Sequence, residues 1–333
     1  MMKRICLVLA FIMMIPSFAS CTPKLSEVPV EVPATETETE PAEVVKKDPK
    51  PAKKEEPAEE TIMQEYDPAE DDVINVLMIG SSSCYYYVEE LYGIAKAAGV
   101  NMKVCNVYYS GCSLEKHWTW WKNSEANYQF FETDERGRIK YENFSLNMCL
   151  RRENWDVISL QQSPVRLLHT DYEKAHKEAD AYAKALMNYL REQFPQSRYY
   201  WHQLWAWEIG ADHAGMVMDS KEKQQGMADF LHQFATEMSE MLGVERVPTG
   251  DAWQLVRHNP VIGEVLCERT NKNDHYHDGD VGGGQYLNAC VWFEKLTGKS
   301  CIGNTWRPDD YKLSEEKIAL LQQAAHQAVA DMQ

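Results

Sequence analysis

The sequence predicts an α/β protein, a three-layer α/β/α sandwich built on a central, mostly parallel, five-stranded sheet. Short apolar runs alternate with longer amphipathic segments along the body of the chain, as expected when strands alternate with crossover helices. The first of these runs, residues 73–79 (VINVLMI), is apolar throughout, which is typical of a parallel strand buried on both faces.

Glycines mark the ends of the first two predicted elements. The strand at 73–79 stops at Gly80, and the helix predicted over residues 87–98 stops at Gly99. Further strands are predicted at 103–109, 156–160, 198–204 and 244–247, and further helices at 172–193, 221–242, 284–296 and 314–331.

Residues 115–152 follow no clear period, and we expect an insertion near the edge of the sheet. The segment is rich in aromatic residues, which either line a pocket or pack in the core. They are Trp118, Trp120, Trp121, Tyr128, Phe130 and Phe131.

Residues 1–20 have the layout of a secretory signal. Lys3 and Arg4 form a basic start, residues 5–16 are almost wholly apolar, and two small residues precede Cys21. A cysteine at the cleavage point resembles a bacterial lipoprotein signal, which implies that Cys21 is lipid-modified and attaches the protein to a membrane. The alternative is an ordinary secreted protein in which Cys21 is incidental. We expect the protein at the bacterial cell envelope, on the outer membrane or the cell surface.

A tether is predicted over residues 21–70, between the signal and a domain at 71–333. Eight of the fourteen prolines lie in this stretch, which has no glycine, tryptophan or phenylalanine and is rich in glutamate and lysine. Such a composition buries too little apolar surface to offset the entropy of ordering the chain. We expect an extended linker that holds the domain away from its anchor.

Composition excludes several classes of protein. The formal net charge of −17 argues against a nucleic-acid partner, because phosphate contacts need clustered lysine and arginine. No apolar run reaches the roughly 18 residues of a membrane-spanning helix. Without Cys6 and Cys21, seven cysteines remain in the body, with no CxxC pair, and we expect most of them to be small buried hydrophobes.

Polar residues directly after the predicted strands are the candidates for a functional site, because ligands of open parallel sheets bind beyond the carboxyl ends of the strands. Together they supply a nucleophile, oxyanion donors, a base and a carboxylate to orient it, which are the parts of a serine hydrolase. The candidates are Ser81, Ser82, Ser83, Gly111, Gln161, Gln162, Trp205, Trp207, Asp274, His275 and His277.

In the same order along the chain, these residues resemble the SGNH (GDSL-like) hydrolase superfamily over roughly residues 73–298, and in particular a bacterial branch whose first block reads Gly-Asn-Ser. The resemblance implies a flavodoxin-like α/β/α fold. It also implies these roles: Ser82 as nucleophile, the Ser82 and Gly111 backbone N–H groups as oxyanion donors, His277 as base and Asp274 as the residue that orients it.

Two blocks depart from the superfamily. Ser81 stands where the first block has Asn or Asp, which leaves three consecutive serines. The third-block Asn is absent, so that Gln161 or Gln162 has to supply the side-chain amide. Strand alternation points these two glutamines in opposite directions, and we favour Gln162 because it lies nearer the end of the strand.

Residues 274–280 also suggest a metal site, since they hold two histidines and three aspartates. No HExxH or similar helical pair accompanies them, and we expect neither a metal nor a cofactor. His275 is the rival base, but the spacing of three residues from Asp274 favours His277.

The sequence therefore predicts a serine esterase that removes acyl groups, such as acetyl, from a carbohydrate or another small ester. Ser81, Trp205 and Trp207 are expected to contact the substrate, with core packing as the alternative for the two tryptophans. The competing interpretation is a non-catalytic, glycan-binding surface lipoprotein on the same scaffold, which the altered first and third blocks leave open.

Overall fold

A computed structural model of the chain describes residues 72–168, 172–213, 216–262, 283–309 and 312–332. The strands are β1 (Val73–Gly80), β2 (Asn101–Tyr108), β3 (Tyr128–Asp134), β4 (Gly137–Phe144), β5 (Val157–Leu160), β6 (Arg198–His202), β7 (Asp212–His213), β8 (Met216–Val217) and β9 (Glu245–Val247). The helices are α1 (Val88–Ala97), α2 (Leu114–Lys122), α3 (Leu146–Leu150), α4 (Pro164–Leu168), α5 (Tyr172–Gln193), α6 (Lys221–Leu242), α7 (Thr249–Val256), α8 (Gly284–Thr297) and α9 (Glu315–Ala330).

The central sheet has the order β4-β3-β2-β1-β5-β6-β9, and β7 and β8 form a separate two-stranded sheet. Five strands that lie side by side in this sheet run parallel: β2, β1, β5, β6 and β9. By contrast, β3 is antiparallel to both β2 and β4. The expected mostly parallel sheet is therefore present, but it has seven strands and not five.

The two extra strands come from the segment that lacked a clear period. Residues 115–152 form most of α2 together with β3, β4 and α3, and the hairpin extends the sheet beyond β2. Its inner strand carries Glu132, which is fully buried and receives hydrogen bonds from Arg152, with Nε at 2.9 Å from the carboxylate. The buried carboxylate is thus paired, as burial of a charge requires.

Helices cover both faces of the sheet. Consecutive residues of a strand point to opposite faces, and at the end of β6 the ring of Trp201 lies 6.0 Å from Phe234 of α6, while His202 lies 5.3 Å from Trp292 of α8. On one side α2 packs on α5 and α5 on α6; on the other, α1 packs on α8 and α8 on α9. The three-layer sandwich follows.

The outermost strands of the sheet differ from the central ones. The last four apolar residues of β1, Val76 to Ile79, are at most 1 % exposed. By contrast, β4 is mostly exposed or half-buried and carries Arg138, Lys140 and Glu142, and β9 has only three residues. The core therefore lies around β1 and its neighbours, and the margins are polar or short.

The cysteines of the described residues are free and buried: Cys84, Cys105, Cys112, Cys149, Cys290 and Cys301. Burial raises the pKa of the Cys84 thiol to about 12, so that it stays protonated at neutral pH. Within the ranges given above, no helix is both long and apolar enough to cross a membrane.

Candidate active site

The three consecutive serines follow β1 at its carboxyl end. Ser81 is extended, and a single 3₁₀ turn, Ser82–Cys84, begins directly after it. Ser81 is fully buried and Ser83 is 5 % exposed, whereas Ser82 is half-buried. Of the three hydroxyl groups, the one at Ser82 is therefore the best placed to meet a ligand.

A buried asparagine holds this turn against the neighbouring strand. Asn106 of β2 is fully buried and donates a side-chain hydrogen bond of 2.5 Å to the carbonyl of Cys84. The 3₁₀ turn is bonded internally from Cys84 N to the Ser81 carbonyl and from Tyr85 N to the Ser82 carbonyl. These bonds leave the N–H of Ser82 without a backbone acceptor among the described residues.

Gln161 supports the turn from the other side, at the end of β5. Its Nε2 donates to Ser81 Oγ at 2.9 Å, and its Oε1 accepts from His202 Nδ1 at 2.9 Å. The other ring nitrogen of His202 lies 3.1 Å from the hydroxyl of Thr249. All four side chains are buried, and both polar atoms of the Gln161 amide are engaged within this chain of contacts.

His202 is neutral in this environment. Burial lowers its pKa to about 3, because the protein interior disfavours the charged imidazolium. The second ring nitrogen lies beside the Thr249 hydroxyl, which donates its own proton to the backbone carbonyl of Gln203. His202 thus contacts Gln161 as a neutral ring, and its low pKa makes it a weak base.

Gln162 points to a different partner. Its Oε1 accepts from the backbone N–H of Leu114 at 3.1 Å and from that of Ser163 at 2.9 Å. Leu114 is the first residue of α2, so this side chain ties the end of β5 to the start of that helix. The two glutamines therefore have separate contacts, as strand alternation predicts.

Gly111 lies in a tight turn between β2 and α2. The N–H of Cys112 donates to the carbonyl of Tyr109 at 3.1 Å, and Gly111 has a φ of +61°, which a side chain would strain. The glycine is exposed, and among the described residues no backbone carbonyl accepts its N–H. That N–H is consequently available to a ligand.

The strand register brings these groups to one edge of the sheet. Gly80 pairs with Tyr108 across β1 and β2, and Ile79 pairs with Leu160 across β1 and β5. The residues after all three strands therefore meet at the same level, and Ser82 follows the central strand of the three. Such an edge can present a nucleophile between two sources of hydrogen-bond donors.

His117 of α2 is part of this edge, although the sequence analysis did not select it. It is fully buried, and its Nδ1 lies 2.9 Å from the hydroxyl of Tyr128. Burial lowers its pKa to about 3, against a smaller opposing effect of the Gly80 backbone. Its position three residues after Leu114 on the inner face of α2 was the available signal, but it required knowing that α2 is a helix.

Other predicted contacts with substrate are not on an open surface. Trp205 and Trp207 are 3 % and 2 % exposed, and the Trp205 ring stacks on Trp253 with centroids 5.0 Å apart. Both tryptophans are therefore packed in the core, which is the alternative stated above for them. Ser81 is likewise buried, and its hydroxyl is bonded to Gln161.

Several predicted site residues lie outside the described ranges, namely Asp274, His275, His277 and the lipidation candidate Cys21. Within those ranges, no group of three or more His, Cys, Asp and Glu side chains is placed to hold a metal ion.

The fold and this edge define an α/β sandwich with a serine turn at the end of the central strand, and comparison with known proteins gives the family. The family described as "Domain of unknown function (DUF4886)" matches residues 75–328, and the chain belongs to it. No curated protein matches the sequence.

Solved structures are similar to this chain over about two thirds or more of its length. The crystal structure of a DUF4886 family protein from Bacteroides uniformis ATCC 8492 is 28% identical, with a TM-score of 0.68, covering 78% of this chain and 95% of that one. An acetyl xylan esterase, AlAXEase, is 13% identical with a TM-score of 0.44, covering 67% and 100%. A lipase/acylhydrolase from Enterococcus faecalis is 13% identical with a TM-score of 0.43, covering 68% and 96%.

Proposed function

We propose that the protein is a serine hydrolase of the SGNH type, an esterase that removes acyl groups such as acetyl from a carbohydrate at the cell envelope. The observation that carries the proposal is the arrangement at the end of β1. Ser82 is the least buried of three consecutive serines, and the Gly111 turn and Gln162 follow the two flanking strands.

In the proposed reaction, Ser82 Oγ attacks the ester carbonyl and its proton passes to His277, which Asp274 orients. The tetrahedral intermediate collapses when the C–O bond to the sugar breaks, and the sugar oxygen takes the proton from His277. Water then attacks the acyl-enzyme, again through His277, and the carboxylic acid leaves as Ser82 regains its proton.

The proposed oxyanion site consists of the backbone N–H groups of Ser82 and Gly111 and the Nε2 of Gln162. The Oε1 of Gln162 already accepts two backbone N–H groups, which leaves Nε2 as the atom that can donate. We assign this role to Gln162 and not to Gln161, because both polar atoms of the Gln161 amide are engaged with Ser81 and His202. Each such donor contributes roughly 2.7–4 kcal/mol to transition-state stabilisation.

The proposed location follows from the sequence features of the first seventy residues. Cys21 would carry the lipid, and the proline-rich stretch after it would extend the domain from the membrane.

Labelling with a fluorophosphonate probe tests the nucleophile. We expect the folded protein to be labelled, Ser82→Ala to abolish labelling, and Ser83→Ala to retain it as the matched control. Hydrolysis of p-nitrophenyl acetate should fall by at least about a thousandfold in Ser82→Ala, since removal of a triad member leaves only residual catalysis. The same loss is expected in His277→Ala.

A folded protein that neither reacts with the probe nor hydrolyses p-nitrophenyl acetate would contradict the hydrolase proposal. That result would favour the alternative, a surface lipoprotein that binds glycan without cleaving it.

A further inference from the structure

An exposed aromatic side chain lies beside the candidate oxyanion turn. Tyr109, the residue after β2, is 39% exposed, although most aromatic rings of the described residues are buried or half-buried. The large hydrophobic side chains that share this exposure are aliphatic: Met148, Val217, Leu255 and Ile302. Among these exposed side chains, Tyr109 is thus the aromatic residue, and it lies two residues before Gly111 of the candidate oxyanion site.

The Tyr109 ring is held in place from α2. The Trp120 ring meets it edge-on, with centroids 4.8 Å apart and an interplanar angle of 84°. Trp120 is in turn packed edge-on against the buried Tyr128 at 5.3 Å. Lys116, one helical turn before Trp120, places its Nζ 5.6 Å from the centre of the Tyr109 ring. These contacts give an exposed ring a fixed orientation.

The same turn carries Tyr109 and Gly111. The hydrogen bond from Cys112 N to the Tyr109 carbonyl closes this turn, whose ends are less than about 7 Å apart. The backbone of Tyr109 therefore lies two residues from the Gly111 N–H, the atom that the proposed function directs at the ester carbonyl oxygen. The start of α2 is fixed to β5 by Gln162, which keeps the ring and the turn in register with Ser82.

The chemistry of this surface fits a sugar ring better than an acyl chain. A long acyl chain needs an enclosed apolar channel, whereas Tyr109 is open to solvent and has the charged Lys116 beside it. A pyranose presents a flat face of C–H groups to an aromatic ring and hydroxyl groups to a polar surrounding. An open ring with a cationic neighbour provides both.

We propose that Tyr109, supported by Trp120, is the subsite that stacks on the pyranose ring bearing the ester. This inference rests on the proposed esterase function and assigns its sugar contact to the turn that also carries Gly111. It makes Tyr109 a specificity-determining residue that acts on the leaving group.

Two acetyl esters separate a sugar contact from a general effect on catalysis. Glucose pentaacetate carries its esters on a pyranose ring, and triacetin carries the same esters on an acyclic polyol. We expect Tyr109→Ala to lower kcat/KM for glucose pentaacetate by about tenfold, mainly through KM, and to change that for triacetin by less than about twofold. Tyr109→Phe keeps the ring and should retain the activity.

Tyr92→Ala is the matched control. Tyr92 is a half-buried tyrosine on α1 with Lys96 also 5.6 Å from its ring centre, but it does not belong to the turn of Gly111. Tyr92→Ala should leave kcat/KM for glucose pentaacetate and for triacetin unchanged. Equal losses on both esters in Tyr109→Ala, or no loss on either, would overturn the subsite.

A binding measurement keeps the inference testable if wild-type protein hydrolyses neither ester, which would count against the proposed function alone. Saturation-transfer NMR with glucose pentaacetate on the Ser82→Ala protein needs no turnover. Loss of the transfer signal when Tyr109→Ala is added would support the sugar subsite, and an unchanged signal would refute it.

Discussion

Gly80, the last residue of β1, has no room for a side chain because Gln161 occupies the space beside it. A Cβ at this position would lie 2.5 Å from the Cγ of Gln161. In this position the Gln161 amide contacts Ser81 and His202 at the same time. The missing side chain at Gly80 is thus part of the support for the serine turn.

Gly80→Ala should therefore destabilise the protein by about 1–3 kcal/mol, since Gln161 is buried and cannot move aside freely. It should also slow fluorophosphonate labelling of Ser82. Urea unfolding and the rate of labelling measure the two effects.

Gly226→Ala is the control for this change, because nothing lies within 4 Å of its added Cβ and the residue is inside α6. It should raise the free energy of unfolding by about 0.5–1 kcal/mol through helix propensity and leave labelling unchanged. A Gly80→Ala protein as stable and reactive as the wild type would contradict the role given to Gln161.

The short helix α2 connects the two halves of the candidate oxyanion site. It starts three residues after Gly111, its first N–H is held by Gln162, and Ser113 caps it by accepting from Lys116 N at 3.3 Å. An element of nine residues has little helical stability of its own, so these anchors determine its position.

Removing the cap with Ser113→Ala should cost about 1 kcal/mol of stability and lower esterase kcat/KM by about tenfold, because small misplacements of a donor weaken it. Ser314→Ala removes the equivalent cap of α9, where Ser314 accepts from Lys317 N at 3.2 Å. Ser314→Ala should lower the free energy of unfolding by a similar amount and leave esterase kcat/KM unchanged. Equal activities of the two variants would show that α2 does not position the site.

At the level of elements, sequence periodicity locates what is long and amphipathic. The two helices of 22 residues, α5 and α6, have the predicted bounds because an apolar stripe recurs along about six turns. Sequence periodicity does not identify α2, because its tryptophans interrupt the polar face of the helix. It also does not identify β4, whose charged residues are typical of a loop and which forms a strand only by pairing with β3. Pairings such as Ser81 with Gln161 join residues 80 positions apart, which no local pattern encodes.

For the whole molecule, two neutral buried histidines make stability depend on pH. The pKa values of His117 and His202 are both lowered to about 3 by burial, from 6.5. Between about pH 3 and pH 6.5, these two histidines are therefore protonated in the unfolded chain but not in the folded protein. Stability is therefore fully present above about pH 6.5 and is lost as the pH falls towards 3.

Urea unfolding between pH 7 and pH 5 should show this loss, with each histidine contributing up to about 1.4 kcal/mol per pH unit. Carboxylates also titrate in the lower part of this range, so the informative quantity is the difference between wild type and His202→Gln. The variant should depend less steeply on pH. Identical slopes would mean that His202 is accessible to protons in the folded protein.

The two margins of the sheet bear on how copies of the domain behave when they are crowded together. One margin is the charged strand β4, and the other is β9 with its three residues. Neither margin is a long, hydrophobic edge strand with which another chain could pair. The charges of β4 and the shortness of β9 therefore both disfavour edge-to-edge pairing between copies of the domain.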